Sequence, residues 1–237
     1  MAIKEEKSGI VLSVTRKTVS CFLKGIVVVS AFVGVILSAL ASANTFMGGR
    51  RVFMYFTIQS NIAIAVICLI GGLLLAAGRK TGNGWFVVKF MGTVSITLTG
   101  AVFCFVLAPT LGRYAWNAQN VLTHVVVPVA AIADFFVTGV CGDLKWSSTL
   151  CGTLPPLAYA AYAGIGYAAG WEFSEGLNYP YFFLNWGSPA GAFGFTRELP
   201  FMGCGWWIIG LFILLCLVGL AFLDILNSMK KRAMGRR

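Results

Sequence analysis

Six long apolar runs follow one another along this chain, and the charged residues lie almost entirely between them. Each run approaches the roughly 20 residues that an α-helix needs to cross a hydrocarbon core of about 30 Å. Helices are the expected structure, because open sheet edges cannot face lipid. The predicted spans are Gly25–Ala43, Phe53–Ala77, Trp85–Ala108, Val121–Val140, Leu150–Ala169 and Phe201–Leu226. The sequence therefore predicts an all-α fold, a polytopic membrane protein whose residues 1–237 form one integral membrane domain, a six-transmembrane-helix bundle.

The basic residues predict an orientation for this bundle. A net charge of +10 would also suit a nucleic-acid-binding protein, but here Lys and Arg cluster beside the apolar runs. If the chain has six spans, four of its 18 Lys and Arg residues lie on one side of the membrane and 14 lie on the other. The smaller group is Arg50, Arg51, Arg113 and Arg197. The larger group includes Lys24, expected at the edge of the first span, and Lys89, near the start of the third. Because cytoplasmic loops are enriched in Lys and Arg, both termini are expected in the cytoplasm, with no nucleic-acid partner.

Several common site chemistries find no support in the sequence. A bis-His haem needs two histidines, and His124 is the only one in the chain. A zinc site needs three or four ligands in register, which no pattern supplies. The seven cysteines are scattered without CxxC spacing, as expected of small packing residues. We therefore expect no metal and no cofactor.

Polar residues inside two predicted spans indicate where a site lies, because such residues are costly in lipid. Thr57, Ser60 and Asn61 share one face of the second span by their i, i+3, i+4 spacing. Asn120 and His124 share a face of the fourth span by the same rule. At 1.5 Å per residue, Thr57 lies about 6 Å and His124 about 5 Å below the start of its run. Both runs enter from the same side, so the hydroxyl and the imidazole are expected to meet.

A hydroxyl beside a histidine is the pair that acyl transfer needs, because the imidazole takes the proton as the oxygen attacks a carbonyl. Two structural readings compete with this one. His124 alone could be a buried histidine satisfied by Asn120 or by a main-chain carbonyl. Thr57 alone could bond back to the carbonyl of residue 53 in its own helix, as threonines in spans often do.

Two further features have alternatives that the sequence leaves open. Asp134 is the only acidic residue well inside a span, about 15 Å deeper than His124 by helical rise, too far to orient the imidazole directly. It is either a polar contact between helices or part of a proton relay. The connection Gly170–Pro200 is rich in aromatic residues, glycine and proline. It is either an interfacial aromatic belt or a cap that closes over a site in the outer leaflet.

Three short blocks of the chain resemble a known family: Tyr55–Asn61 (YFTIQSN), Leu122–Phe135 (LTHVVVPVAAIADF) and Tyr179–Asn185 (YPYFFLN). They resemble the androgen-induced membrane-protein family, whose animal members are six-helix hydrolases of fatty-acid esters of hydroxy fatty acids. The resemblance implies that Thr57 matches the family's intramembrane nucleophile and that His124, followed by Pro128, matches its histidine. The tyrosine-proline motif falls on Tyr179 and Pro180. Asn185 stands where animal members carry an acidic residue, and the sequence looks closer to the bacterial branch.

The sequence therefore predicts an intramembrane hydrolase of lipid-like esters in a bacterial cytoplasmic membrane, with Thr57 as nucleophile and His124 as base. The expected orienting or oxyanion-binding residues are Asn61, Asn120 and Ser60. The expected substrate-binding or cap residues are Tyr179, Pro180, Asn185, Phe56 and Leu122, with Ile64 and Val126 along the acyl chain. The expected partner is a lipid or fatty-acid-ester substrate, and the oligomeric state is left open. The rival reading is a membrane binder or transporter of a small amphipathic ligand, with no covalent step.

Overall fold

The computed structural model describes residues 12–41, 49–139 and 141–234. Within these ranges the fold is all-helical, and six long helices account for most of the chain. They are α1 (Val14–Leu40), α2 (Phe56–Ala76), α3 (Asn83–Ala115), α4 (Ala118–Gly139), α5 (Ser148–Ala168) and α6 (Cys204–Met234). Short connections join them, apart from the long segment between α5 and α6, which holds one 3₁₀ turn, Phe182–Leu184.

Five of these helices, α1, α2, α3, α4 and α6, are long and apolar enough to cross a membrane. Large apolar side chains point outward from them, as expected of surfaces that face lipid; examples are Phe22, Phe32, Leu73, Ile213 and Leu217. The five helices are compatible with an integral membrane protein. Helix α5 is the sixth long helix and falls outside this set, because two prolines and several polar residues interrupt its apolar sequence.

The helix ends differ from the predicted ends where a helix continues through charged residues. Helix α1 begins at Val14, not Gly25, because the Ser13 hydroxyl caps it by accepting a hydrogen bond from the Arg16 N–H at 3.3 Å. Helix α6 continues past Leu226 to Met234, with cations in its last turn, where they complement the helix dipole. The predicted span ends at Ala43 and Val140 lie outside the described residues.

The structure corrects the placement of Lys24 and Lys89, which the sequence assigned to the cytoplasmic boundary. Both side chains are buried in the bundle and hold Asp134 between them. The Lys24 ammonium lies 2.6 Å from Asp134 Oδ1, and the Lys89 ammonium lies 2.6 Å from Asp134 Oδ2. Ser20 adds a hydrogen bond of 2.6 Å to the same carboxylate. Asp134 thus contacts α1 and α3 from α4, so it is a polar contact between helices and the centre of a buried ion cluster.

Glycines allow the close approaches on which this arrangement depends. The aliphatic stem of Lys24 passes over Gly71, where an added Cβ would lie 3.1 Å from the lysine Cε. At Gly100 of α3 an added Cβ would lie 2.9 Å from the main-chain oxygen of His124. Helices α3 and α4 therefore pack backbone to backbone beside the histidine.

Candidate active site

Thr57 is held at the first turn of α2, where the chain leaves a 3₁₀ turn, Arg50–Met54. The Tyr159 hydroxyl of α5 donates to the Met54 carbonyl at 3.0 Å, which ties this turn to the bundle. Tyr55 precedes the helix and is fully buried. These contacts fix the entry of α2, and with it the direction of the buried Thr57 side chain.

The Thr57 hydroxyl has its partners on other parts of the fold. Its Oγ1 lies 3.3 Å from His124 Nε2 and 3.2 Å from the Tyr181 hydroxyl oxygen. The Thr57 main-chain N–H also donates to the Tyr181 hydroxyl, at 3.2 Å. Helices α2 and α4 and the segment between α5 and α6 therefore meet at one hydroxyl group.

The hydrogen bonds around His124 determine which ring nitrogen is free to act as a base. Nδ1 lies 3.1 Å from the Asn120 carbonyl and 3.0 Å from the Thr123 hydroxyl. Thr123 donates its own proton to the Gln119 carbonyl at 2.8 Å, so its oxygen accepts at Nδ1. With two acceptors facing it, Nδ1 carries the proton of the neutral imidazole. Nε2 is then unprotonated and accepts from Thr57.

This orientation places a main-chain carbonyl where a Ser-His-Asp triad has its carboxylate. In such a triad the acid holds the imidazole in the tautomer that leaves Nε2 free. Here the Asn120 carbonyl and the Thr123 hydroxyl hold the same tautomer without a charge.

Two π-helical segments shape the backbone around the histidine. One is Leu122–Val126, which contains His124, and the other is Phe103–Leu107 of α3. Phe103 stacks on the imidazole with ring centroids 3.9 Å apart and planes 22° apart. Each segment is followed within two residues by a proline, Pro128 or Pro109, which removes a helical N–H and crowds the carbonyl four residues earlier. π-Bulges of this kind occur often at functional sites.

Ser60 and Asn61 support the main chain beneath Thr57. The Ser60 hydroxyl lies 3.1 Å from the Thr57 carbonyl and 2.7 Å from the Thr99 hydroxyl of α3. The Asn61 amide donates to the Thr57 carbonyl at 2.8 Å and to the Thr123 carbonyl at 3.1 Å. Asn61 therefore joins α2 to α4 directly below the Thr57–His124 pair.

Other sequence-predicted residues lie at the edges of the site. The Asn120 side chain donates to the Ala115 carbonyl at 2.8 Å, so it reaches His124 only through its main chain. Leu122 packs towards Gly34 of α1. Pro180 is buried and Tyr179 is partly buried. The Asn185 side chain accepts from the Gly187 N–H at 3.0 Å and closes a local turn.

Tyr181 is the main site residue that sequence reasoning did not select. It belongs to the YPYFFLN block, but the pattern gave no sign of which tyrosine points inward. Burial raises the pKa of Tyr181 to about 12, so its hydroxyl stays protonated and can donate. Thr123 was missed for a similar reason, since a threonine next to the histidine gives no periodic signal.

A narrow apolar cavity of about 60 Å³ opens beside Thr57 and Tyr181. Its walls come from α2, α3, α5, α6 and the segment between the last two. Representative lining residues are Phe56, Leu98, Val102, Ala160, Leu184, Leu211 and Leu215. Phe56 lines it as expected. Leu122, Ile64 and Val126 are not among its lining residues, so the cavity runs between α2 and α5–α6 and not between α2 and α4.

Comparisons with protein-family models, with curated proteins and with solved structures find no match. The description of the chain therefore depends on its own fold and site. The fold is an all-helical bundle with five candidate membrane-spanning helices. The site is a buried threonine–histidine pair on an apolar cavity, and the family resemblance stays a sequence-based prediction.

For the ester hydrolysis that we propose below, replacing Tyr181 with Phe should lower the rate by about 10- to 1000-fold, the range for loss of one hydrogen-bond donor to a developing oxyanion. The ring and its packing are retained, so the variant should still fold. The measurement is kcat for a long-chain ester in detergent, compared with Tyr179→Phe, which removes a hydroxyl that is not in contact with Thr57. Equal rates for Tyr181→Phe and the wild type would remove Tyr181 from the mechanism.

Proposed function

We propose that this chain is an intramembrane hydrolase of lipid-like esters, of the fatty-acid ester of hydroxy fatty acid type, with Thr57 as nucleophile and His124 as general base. One observation carries the proposal. The Thr57 hydroxyl faces the unprotonated nitrogen of an oriented, buried imidazole at 3.3 Å, on the wall of an apolar cavity. A distance slightly longer than the 2.6–3.2 Å of an ideal pair is common without substrate.

The chemistry follows from the proton positions. His124 Nε2 takes the Thr57 proton as Oγ1 attacks the ester carbonyl, and the carbonyl oxygen becomes an oxyanion. Nε2 then returns the proton to the leaving alcohol, and the acyl group stays on Thr57. A water that gives its proton to Nε2 attacks this second ester, releases the carboxylic acid and restores the threonine. Each half-reaction breaks one C–O bond and forms one.

The donors for the oxyanion are best supplied by Tyr181 and by the start of α2. The Tyr181 hydroxyl lies 3.2 Å from the attacking oxygen, and the α2 N-terminus carries positive dipole charge. Asn61 is less suited to this role, because its amide protons already serve two carbonyls. We assign Asn61 and Ser60 to positioning Thr57.

The substrate class follows from the cavity. Mostly apolar side chains line it, and Thr57 and Tyr181 are among the few polar lining residues. Such a cavity binds an acyl chain with its ester carbonyl at Thr57. Tyr181, Phe183 and Leu184 form part of the wall, so the segment 170–200 acts as a cap in this proposal.

A probe experiment separates hydrolysis from simple ligand binding. A fluorophosphonate that labels activated hydroxyl nucleophiles should modify wild-type protein at Thr57, as located by peptide mass spectrometry. Thr57→Ala should not be labelled, whereas Thr153→Ala should be labelled normally, because that buried hydroxyl bonds only within α5. Binding of a long-chain ester without labelling or turnover would favour the rival role as a binder or transporter.

We also propose that all six helices cross the membrane, with both termini in the cytoplasm. Helix α5 has 21 residues, enough to span about 30 Å, and it packs between α3 and α6. The described cations near the α1 N-terminus, the α2–α3 turn and the α6 C-terminus lie on one side under this arrangement. A C-terminal alkaline phosphatase fusion should be inactive and a fluorescent-protein fusion bright. The reverse pattern would exclude a cytoplasmic C-terminus.

A further inference from the structure

A second, larger cavity lies at the opposite end of α2 from Thr57. Its volume is about 510 Å³, and among the described residues it shares no lining residue with the apolar cavity beside Thr57. Five cationic side chains line it: Lys17, Lys24, Arg79, Lys80 and Lys89. Apolar side chains complete the wall, among them Ile67, Leu75, Trp85 and Phe86. This combination differs from the apolar cavity at Thr57 in both charge and position.

The charges in this cavity do not balance among the described residues that form it. Lys24 and Lys89 together carry two positive charges, and Asp134 between them carries one negative charge. None of the described residues that line the cavity is acidic, and three further cations lie on its walls. A buried excess charge is costly unless an opposite charge lies nearby. The cavity is the space from which an anion could approach the cluster.

The shape and the surroundings favour a lipid over a small soluble ion. Trp85 and Ile67 give the wall an apolar part for an acyl chain, and Lys24 reaches the cavity past Gly71 of α2. Arg79 and Lys80 are exposed in the α2–α3 turn, where the apolar helices end. In the proposed orientation this turn lies at the cytoplasmic leaflet, where basic pockets between helices bind anionic head groups.

We propose that this cavity, which we call the basic cavity, binds the phosphate head group of an anionic phospholipid. Arg79 and Lys80 contact the phosphate, and the Lys24–Asp134–Lys89 cluster supplies the attractive field behind it. One acyl chain lies against Trp85 and Ile67. The lipid fills a site between α1, α2 and α3 that is separate from the site of ester hydrolysis.

The test uses full-length protein in detergent with phosphatidylglycerol or phosphatidylcholine added, and native mass spectrometry to count bound lipids. Wild-type protein should retain one phosphatidylglycerol about tenfold more tightly than phosphatidylcholine. The Arg79→Gln/Lys80→Gln variant should lose about 30-fold of that affinity, since each cation at the membrane surface strengthens binding to an anionic lipid. Both side chains are exposed, so the variant should fold.

The control is Lys231→Gln/Arg232→Gln, which removes two exposed cations at the end of α6 that do not line the basic cavity. Its affinity for phosphatidylglycerol should equal that of the wild type. Equal losses in the two double variants would show nonspecific attraction and overturn the proposal. Equal retention of the two lipids, or displacement of phosphatidylglycerol by millimolar inorganic phosphate, would also overturn it. Lys89→Met, which removes the excess charge and keeps the Lys24–Asp134 pair, should weaken binding as well; unchanged affinity would exclude a role for the buried cluster.

Discussion

The variants Thr57→Ala and His124→Ala should each have a kcat for a long-chain ester that is lower on the order of 10⁴-fold or more. Without the hydroxyl no acyl intermediate forms, and without the imidazole the hydroxyl proton has no acceptor. The double variant should be hardly slower than either single one, because groups that act as a unit lose activity non-additively. Thr57→Ser keeps the oxygen and should retain measurable activity.

The measurement is ester hydrolysis by purified protein, with far-UV circular dichroism and gel filtration to show that each variant is folded. Thr153→Ala is the matched control, because that threonine is equally buried and donates within its own helix. It should hydrolyse ester at the wild-type rate. Wild-type turnover by Thr57→Ala would end the proposed mechanism, whatever the behaviour of the histidine variant.

Replacing Asp134 with Ala should lower the free energy of unfolding by about 3–5 kcal/mol, the usual cost of removing one partner from a buried ion pair. The carboxylate lies between two ammonium groups, with its oxygens 2.6 Å from each. Its loss leaves two like charges buried side by side where α1, α3 and α4 meet. The measurement is unfolding by denaturant in detergent, followed by circular dichroism.

A triple variant separates charge from packing in this cluster. Lys24→Met, Lys89→Met and Asp134→Leu together remove every charge and keep most of the side-chain volume. Replacing a whole buried ion cluster by apolar residues is often neutral or stabilising, so the triple variant should be far more stable than Asp134→Ala. An Asp134→Ala variant within about 1 kcal/mol of wild type would mean that the cluster does not stabilise the bundle.

The apolar runs were enough to predict helices at nearly every place where the structure has one. Hydrophobic length is a local property, so Phe53–Ala77 and α2 agree closely. The helix ends were harder to predict, because Lys24 was read as a boundary. A lysine ends a span only when its charge meets water, and here the charge meets Asp134 110 residues away. That pairing is a tertiary contact, which no local pattern contains.

The candidate pair could also be predicted from the sequence, since helical spacing placed Thr57 and His124 at similar depths from the same side of the membrane. Spacing along one helix states nothing about which tyrosine of a distant loop completes the site. The position of Tyr181 and the apolar cavity depend on how the segment after α5 folds back over α2. The tautomer of His124 depends on the Asn120 carbonyl and the Thr123 hydroxyl, which lie beside Nδ1 at the π-helical segment. Sequence alone therefore determined the helices, which follow from hydrophobic periodicity, and proposed Thr57 and His124 as a candidate pair from their depth and from the family resemblance. Only the tertiary structure decided the cavity, the donors and the buried charges, because these are contacts between residues far apart in the chain.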